Sequence, residues 1–259
     1  MLRAQTRRTL DVLPSLGLRY RCPFCHLRFR RLEPRGRDLP IYDELGIVGG
    51  GLREAECPWC RSNDRERLLY LFLQRCTDLF RRPMRVLHVA PEARLRRAIE
   101  HAQETVETTD LTMSGVDFSC DLASIPRPDA SYDAIVCSHV LEHVDDDRAA
   151  MRELHRVLAS GGFAVLQVPI ASRLEDTRKE PAGRELPAEE RAAQFGDPTH
   201  RRLYAEADYV DRLGEAGFAV EARSAIALLG RRVVDAYALS ADEKVFLCRP
   251  ASGPPPAAH

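Results

Sequence analysis

Lysine is almost absent from this chain, since Lys179 and Lys244 are the only two among 259 residues. Arginine is therefore the ordinary cation, and 38 basic residues stand against 39 acidic ones, for a formal net charge of -1. Such a balance gives no overall field that would attract a polyanion or an anionic membrane. The sequence also lacks a run of about 18 apolar residues, so it predicts no membrane span.

A secretory signal is not expected either. The basic start, Met1 to Arg8, is not followed by the apolar segment that such a signal requires. We therefore predict a cytoplasmic, soluble protein. Residues 1–37 depart from the overall neutrality, because they hold ten arginines against Asp11 and Glu33. A solvated basic face is the ordinary explanation for that arm, and a site for nucleic acid is the alternative.

Eight cysteines do not indicate a disulfide framework here, because that device belongs to small secreted domains. Four of them form two C-x-x-C pairs, namely Cys22-Pro-Phe-Cys25 and Cys57-Pro-Trp-Cys60. Each tight turn brings two thiolates together, and two such turns complete a tetrahedral shell without an open position. We therefore predict a structural Zn²⁺ ion rather than a redox dithiol.

The segment between the two cysteine pairs is 31 residues long and rich in proline and glycine. This composition predicts a loop-rich ribbon with one short hairpin and no helix. The four single cysteines, Cys76, Cys120, Cys137 and Cys248, lie in apolar surroundings and are expected to be buried. After the ribbon, Asn63-Asp64 predicts the N-terminal cap of a helix over about 65–80, with an apolar face.

From residue 85 the sequence alternates between strand and helix patterns, which is typical of an α/β fold with a doubly wound, parallel sheet. The predicted strands are 85–90, 105–110, 133–138, 163–168, about 219–228 and 244–249. The clearest helices are 91–102, 145–159 and 205–216, and Gly161-Gly162 is expected to end the second of them.

A ligand of such a sheet binds beyond the carboxyl ends of the strands, where the strand order reverses. Asp110 ends the second strand, 22 residues after His88. This spacing is typical of the acidic residue that accepts hydrogen bonds from ribose hydroxyls, and a turn or cap role is the alternative. Farther along, Asp121 is suitably placed to accept the amine of an adenine, with Leu122 against the ring.

Several motifs, taken in order, resemble class I methyltransferases of the broad small-molecule type. They are the run from Ser131 to His143, the run from Arg152 to Leu158, and Gly161-Gly162. More narrowly, the whole chain resembles a bacterial group that joins a four-cysteine ribbon to this core. The features shared with that group are His88-Val-Ala-Pro-Glu92 as the first motif and a later cluster formed by Phe195, Gly196, His200, Arg202 and Tyr204.

The resemblance implies a Rossmann-like methyltransferase sheet, binding of S-adenosylmethionine and methyl transfer. It divides the chain into an N-terminal arm and zinc ribbon (1–63), a linking helix (64–84), a class I methyltransferase domain (85–250) and a disordered tail (251–259). The first motif departs from the family, because it contains no glycine and Pro91 removes a backbone N–H. Ala90 still permits close approach, and Glu92 is a candidate partner for the cofactor's ammonium group.

The candidate site residues fall into three sets. The predicted cofactor contacts are His88, Ala90, Glu92, Asp110, Leu111, Asp121, Leu122, Ser138 and His139. His139 and His200 are the candidate bases of the reaction, and the candidate substrate contacts are His143, Arg202 and Tyr204. His143 has packing or helix capping as an alternative role. His200, Arg202 and Tyr204 have the alternative of fixing the insertion 171–200 to the core.

The expected reaction is methylation of O or N on a small-molecule acceptor. The sequence leaves two alternatives open. One is an RNA methyltransferase that uses the ribbon and the arginine-rich arm to bind phosphates. The other is a non-catalytic adenosyl-binding module with a degenerate pocket, which the glycine-free first motif would permit.

Overall fold

The computed structural model describes residues 12–181 and 183–251. The first part of the predicted arm (1–11) and the predicted tail from residue 252 onward lie outside the described residues. The N-terminal region begins with a turn of 3-10 helix, Leu13–Ser15. It continues with short elements: β1 (Leu16–Arg21), β2 (Arg28–Phe29), β3 (Glu33–Arg35), α1 (Pro40–Leu45), β4 (Ile47–Val48) and β5 (Arg53–Glu56).

Two antiparallel pairs, β1 with β2 and β3 with β5, form the ribbon. Helix α1 contradicts the prediction of a ribbon without a helix. Pro40 occupies its first turn, where the missing N–H has no helical partner, and Gly46 ends it with a φ of 59°. The helix forms because Ile41 is buried in a cluster with Phe195, a contact that no local pattern reveals.

Helix α2 (Asp64–Cys76) begins at the predicted cap. The Asn63 side chain accepts a hydrogen bond from the Glu66 amide, and the Glu66 carboxylate accepts one from the Asn63 amide, so both donors are satisfied. The buried Arg67 guanidinium donates to the carbonyls of Ser62, Tyr237 and Ala238. These bonds fix the ribbon to the core.

The α/β core follows in chain order. Its elements are β6 (Arg85–Val89), α3 (Ala93–Ala102), β7 (Thr105–Asp110), β8 (Phe118–Ser119), β9 (Tyr132–Ser138), α4 (Asp147–Val157), β10 (Leu158–Gln167), β11 (Ile170–Ala171), β12 (Arg178–Lys179), α5 (Ala188–Phe195), β13 (Arg202–Leu203), α6 (Glu206–Glu215), β14 (Phe218–Ser224), α7 (Ala225–Leu229), α8 (Arg231–Ala236) and β15 (Lys244–Pro250).

Seven of these strands form the central sheet in the order β14-β15-β10-β9-β6-β7-β8. The predicted doubly wound α/β class is confirmed, and the order reverses beside β6, between β7 and β9. The sheet is not wholly parallel, however. Strand β15 runs antiparallel to both β14 and β10. The short helices α7 and α8 connect the end of β14 to the start of β15 at one edge of the sheet, so the two strands pair as in a hairpin.

Alternate residues of the central strands are buried on opposite faces of the sheet. Leu87, Ile135 and Leu166 belong to one apolar cluster, which is covered by α4 and α6. Their chain neighbours Val86 and Val136 belong to the other, which is covered by α2 and α3.

Several boundaries differ from the sequence-based prediction, among them the end of α2, which comes at Cys76 rather than near residue 80. Gly161-Gly162 lie inside β10, where the pairing with β9 shifts register, and α4 already ends at Val157. Strand β14 stops at Ser224, because the Ser224 hydroxyl accepts a hydrogen bond from the Ala227 amide and caps α7.

Of the single cysteines, Cys137 and Cys248 are buried as expected, Cys120 is half-buried, and Cys76 is exposed at the last position of α2.

The insertion after β10 contacts the N-terminal region directly. Strand β11 pairs with β4, and the Tyr42 hydroxyl donates a hydrogen bond to the Gly196 carbonyl at 2.8 Å. Leu186 and Phe195 from the insertion pack against Ile41 and Ile47. The segment between the cysteine pairs therefore reaches across to the carboxyl edge of the sheet.

Candidate functional site

A first cavity of about 460 Å³ lies at the carboxyl ends of β6, β7 and β9. It stands where the strand order reverses, which is the position expected for a ligand. Six of the nine predicted cofactor contacts line it, namely Ala90, Asp110, Leu111, Asp121, Leu122 and His139. The predicted substrate contact His143 lies in the same wall. Elements far apart in sequence thus bring these side chains together.

The other three predicted cofactor contacts do not line this cavity. His88 is fully buried, and its Nε2 lies 3.4 Å from the carboxylate of Glu92. Glu92 is thereby directed toward the strand rather than toward the open space. Ser138 is also buried, and its hydroxyl lies behind the cavity wall without a hydrogen bond among the described residues. The prediction of direct ligand contact has no geometric support at these three positions.

The two acidic residues of the first cavity are held by the turns that carry them. Asp110 accepts hydrogen bonds at Oδ1 from the amides of Thr112 and Met113, both at 2.7 Å. Asp121 accepts one at Oδ1 from the Ala123 amide at 2.9 Å. Asp110 therefore fulfils its alternative turn role, and its carboxylate still faces the cavity because that turn is the rim.

Two residues of the first cavity adopt left-handed backbone conformations that are rare outside glycine. Ala90, at the end of β6, has a φ of 45°, and His139, directly after β9, has a φ of 55°. Such positions cost free energy and are concentrated at binding sites. The glycine-free first motif thus reaches a backbone shape that glycine favours, with a methyl side chain in its place.

A second cavity of about 310 Å³ lies on the other side of His139. Its walls come from the N-terminal segment 35–53, from the first turn of α2 and from the insertion near Asp197 and His200. Gly49 allows the N-terminal segment to approach closely, since a Cβ there would stand 3.3 Å from the His139 ring. Sequence reasoning did not foresee this cavity.

The second cavity is lined by four arginines, Arg35, Arg37, Arg53 and Arg65, and by the carboxylate of Asp197. Arg53 forms an ion pair with the buried Asp64 at 2.6 Å, and Arg35 forms one with Glu56. Within the described ranges no ion pair engages Arg65. The cavity thus carries an excess of positive charge.

A cluster of three histidines and one carboxylate separates the two cavities. Glu142 is fully buried, and its Oε1 lies 3.2 Å from Nδ1 of His139. The same oxygen lies 4.0 Å from Nε2 of His143 and 3.9 Å from Nε2 of His200. The predicted bases His139 and His200 and the predicted contact His143 therefore meet around one acid.

Burial dominates the protonation of this cluster. It lowers the pKa of His139 to about 4, with Arg65 acting in the same direction, and it lowers the pKa of His200. Burial tends to raise the pKa of Glu142, but the adjacent imidazoles outweigh it and bring that pKa to about 2. Near pH 7 the two imidazoles are therefore neutral and the carboxylate is ionised.

The remaining predicted substrate contacts are not at either cavity. Arg202 is buried, and its guanidinium donates to the backbone carbonyls of Leu141, Val144 and Asp145. Tyr204 is fully buried, with its hydroxyl 2.9 Å from Asp147. Both side chains are occupied in holding the turn after β9, so their predicted contact with substrate is not supported. The alternative structural role describes them better.

Seven buried polar atoms have no hydrogen-bond partner within the described part of the chain, and all lie at this edge of the sheet. They belong to His88, Ser138, His139, Glu142, Gln167 and Glu243. Gln167 donates a hydrogen bond to Glu243 at 2.6 Å, and burial raises the pKa of Glu243 to about 8. Neither residue was predicted, because Gln167 lies at the end of an ordinary strand pattern and Glu243 directly precedes another. Unsatisfied groups concentrated in one place indicate that bound partners complete them.

The four predicted metal ligands lie together in the ribbon. Their sulfur atoms are within 4.8 Å of one another, with 3.5 Å between Cys22 and Cys60 and 3.8 Å between Cys25 and Cys57. A tetrahedral zinc site with bonds of about 2.3 Å separates its sulfurs by roughly 3.8 Å, so the spacing fits Zn²⁺. The Ser62 hydroxyl lies 3.4 Å from Cys22 and 3.2 Å from Cys60, and this neighbour was not predicted.

Within the described ranges, no helix combines the length and the apolar character that crossing a bilayer requires.

Comparison with known proteins gives the same picture of the core. The family model described as "Methyltransferase domain" matches residues 62–223. The chain is 31% identical over 134 residues to a protein of Mycolicibacterium smegmatis named "Probable S-adenosylmethionine-dependent methyltransferase". The aligned residues make up 51% of this chain and 47% of that protein. It is 43% identical over 53 residues to the ubiquinone/menaquinone biosynthesis C-methyltransferase UbiE of Xanthomonas oryzae. That alignment covers 20% of this chain and 21% of the Xanthomonas protein. The chain thus spans about half the length of the first relative and about a fifth of the second.

Among solved structures, the [4+2]-cyclase SpnF superposes with a TM-score of 0.51 at 17% identity, over 96% of this chain and 93% of that one. At this identity the likeness concerns the fold alone. The family match covers more than half of the chain, and it includes the strand ends that form the first cavity. The chain therefore belongs to the methyltransferase domain family.

Proposed function

We propose that the first cavity binds S-adenosylmethionine and that the methyl group is transferred to O or N of a small-molecule acceptor in the second cavity. Asp110 would accept hydrogen bonds from the ribose hydroxyls, and Asp121 would accept one from the adenine amine. Leu122 would pack against the adenine ring. When bound, the cofactor supplies an electrophilic methyl group, and the chain itself supplies alignment and a base.

The observation that carries this proposal is the position of His139. It lines both cavities, so a donor in one and an acceptor in the other would meet at this side chain. Methyl transfer between two bound molecules requires such a shared wall, because the reacting atoms must come within about 3–3.5 Å of each other.

The base in this proposal is Nε2 of His139. That atom is buried and lacks a hydrogen-bond partner among the described residues, while Nδ1 stands 3.2 Å from Glu142. With Nδ1 protonated and directed to the carboxylate, Nε2 presents a lone pair to the acceptor. Glu142 would stabilise the imidazolium that forms when the acceptor loses its proton.

The size and charge of the second cavity support a small, anionic acceptor. A cavity of about 310 Å³ is at the lower end of the range for small-molecule sites. Arg65 faces it without an ion pair from the described residues, and Arg37 stands 3.8 Å from Asp197, too far for a tight pair. Guanidinium groups in this state bind carboxylate or phosphate groups.

RNA is the second candidate acceptor. Arg19, Arg21, Arg28 and Arg31 are exposed on the ribbon, which gives that surface positive charge. They stand outside the residues that line the second cavity. An RNA acceptor would have to extend one nucleotide from that surface into the cavity, whereas a small molecule enters whole.

Structural zinc at the four cysteines is also part of this proposal. The sulfur spacing and the Ser62 hydroxyl beside two of the sulfurs support it. The closed shell leaves no position for substrate, so the ion would shape the ribbon and take no part in methyl transfer.

The first test is calorimetric titration of zinc-replete protein with S-adenosylmethionine and with S-adenosylhomocysteine. We expect dissociation constants of about 1–100 μM. Protein that binds neither compound would contradict the assignment of the first cavity. His139→Asn should leave these affinities within about threefold and abolish most turnover.

The acceptor class is tested with cofactor carrying a radioactive methyl group. Cell extract is separated into a small-molecule fraction and an RNA fraction, and each is offered to the enzyme. We expect label in the small-molecule fraction, and binding of its acceptor to an anion-exchange resin. Label found only in ribonuclease-sensitive material would overturn the small-molecule acceptor.

A further inference from the structure

Glu142, His143 and His200 form a group whose ligating atoms all lie within 4.8 Å of one another. Glu142 and His143 belong to the turn that follows β9, and His200 belongs to the turn that precedes β13. Glu142 is fully buried, whereas the side chains of His143 and His200 are 35% and 12% exposed. Solvent or a ligand can therefore reach the histidines, but not the carboxylate behind them.

Both histidines are oriented by a backbone carbonyl. Nδ1 of His143 lies 3.2 Å from the Thr199 oxygen, and Nδ1 of His200 lies 3.1 Å from the Phe195 oxygen. A carbonyl oxygen only accepts, so each Nδ1 must carry the hydrogen. In the neutral imidazole, Nε2 then presents a lone pair. This is the arrangement that fixes the ring and the tautomer of metal-ligating histidines.

The carboxylate of Glu142 lacks the hydrogen-bond partners that a buried anion requires. Nδ1 of His139 stands 3.2 Å from Oε1, but neither carboxylate oxygen accepts a well-aligned hydrogen bond from any described residue. Two nitrogen lone pairs thus stand about 4 Å from a buried anion, with no hydrogen between them. A buried carboxylate with only a neutral imidazole beside it is costly, and a cation satisfies all three groups at once.

We propose that Glu142, His143 and His200 bind a divalent transition-metal ion at the boundary between the two cavities. Metal bonds of about 2.0–2.2 Å would place the ligand atoms roughly 3–3.4 Å apart. The observed distances of 3.9 and 4.0 Å exceed this by less than about 1 Å, which small side-chain rotations remove.

The ligand types indicate which ions fit. Two imidazoles and a carboxylate suit Zn²⁺, Mn²⁺ or Fe²⁺, whereas four thiolates select zinc and exclude manganese. Three protein ligands leave positions open for water or substrate, in contrast to the closed shell of the ribbon. The proposed ion would therefore differ from the structural ion in both chemistry and accessibility.

The location connects this site with the reaction, and this step rests on the proposed function. His143 lines the first cavity and His200 lines the second, so an acceptor oxygen can reach the open positions. A bound metal lowers the pKa of such a hydroxyl. The O–H proton would pass to Nε2 of His139, the new C–O bond would form as the methyl C–S bond breaks, and the sulfur would leave as a neutral thioether.

The test uses the full chain, with the four-cysteine site already filled by zinc, and contains neither cofactor nor acceptor. Mn²⁺ is titrated in while the electron paramagnetic resonance signal of free Mn²⁺ is followed. We expect one bound Mn²⁺ per chain with a dissociation constant well below about 1 mM. Electron spin-echo modulation of the bound ion should show coupling to histidine nitrogen.

Two near-isosteric variants locate the ion. Glu142→Gln and His200→Gln should each weaken Mn²⁺ binding at least about tenfold. The melting temperature of each variant shows whether it is folded. His155→Gln, on α4 with its ring against Phe218, is the matched control and should bind as the wild type does. If one variant fails to fold, the other still decides the question.

The proposal is overturned if the wild type binds no Mn²⁺ in this range, if no nitrogen coupling is seen, or if a folded ligand variant binds as tightly as the control. Such a failure is distinct from failure of the proposed function. Titration with S-adenosylmethionine in the presence of a chelator that spares the four-cysteine zinc reports on the first cavity alone.

Discussion

The two cavities are built in different ways, although they share His139. The first is formed by the ends of β6, β7 and β9 and needs no segment outside the α/β core. The second depends on residues 35–53, which the chain contributes from the ribbon, and on the insertion that ends near His200. Sheet topology therefore fixes the first cavity, whereas added segments determine the second.

Removal of the proposed ribbon zinc should have the largest effect, and it should disturb the second cavity far more than the first. Structural zinc contributes on the order of 10 kcal/mol of folding free energy in small zinc modules. Chelation, or Cys57→Ser, should therefore expose the amides of 16–56 to hydrogen exchange while those of β6, β7 and β9 stay protected. Affinity for S-adenosylmethionine should change by less than about threefold. Equal loss of protection in the core would contradict the independence of the first cavity.

The next largest effect concerns the pH dependence of stability, which we expect Glu243, near the second cavity, to control. Burial raises its pKa from 4.5 to about 8, so the folded protein retains a proton that the unfolded chain releases. Its contribution to stability is therefore greatest below about pH 4.5 and is lost as the pH rises to about 8.

Glu243→Gln should remove this dependence. At pH 9 we expect the free energy of unfolding of the variant to exceed that of the wild type by about 2–5 kcal/mol. At pH 5 the difference should be small. Urea denaturation at the two pH values measures this. Glu221→Gln, an exposed change on β14, is the control and should show no such difference between the two pH values. A constant advantage at both pH values would indicate altered packing instead.

The first cavity is tested by Asp110→Ala. Loss of hydrogen bonds to a charged acceptor costs about 1.5–3 kcal/mol, so affinity for S-adenosylmethionine should fall roughly 10- to 150-fold by calorimetry. Arg65→Ala, in the second cavity, should change this affinity by less than about twofold. Unchanged affinity in Asp110→Ala would show that the residue serves only its turn.

The smallest effect concerns backbone strain in the first cavity. Ala90→Gly should relieve the left-handed conformation and raise the unfolding free energy by about 0.5–1 kcal/mol, measured by urea denaturation. Ala130 has a φ of 54° away from both cavities, so Ala130→Gly is the matched control and should gain a similar amount. A gain at Ala130 alone would mean that the cavity wall compensates the strain at Ala90.

The same contrast explains how much of the protein could be predicted. The core strands, the four cysteines, Asp110 and Asp121 follow from periodicity and spacing within short stretches of sequence. The second cavity depends on contacts such as Tyr42 with Gly196, which no local pattern encodes. Arg202 was assigned to the substrate because a guanidinium group can bind a carboxylate or phosphate, but three backbone carbonyls receive its guanidinium.

The 31 residues between Cys25 and Cys57 begin and end at one cluster of sulfur atoms. A loop anchored in this way tolerates changes in length, because doubling a flexible loop costs only about 0.6 kcal/mol in closure entropy. This segment contributes most of the arginines that line the second cavity. If the proposed function holds, exchange of this segment together with the insertion 171–200, against which it packs, would change acceptor preference and leave the sheet and the proposed cofactor contacts unchanged.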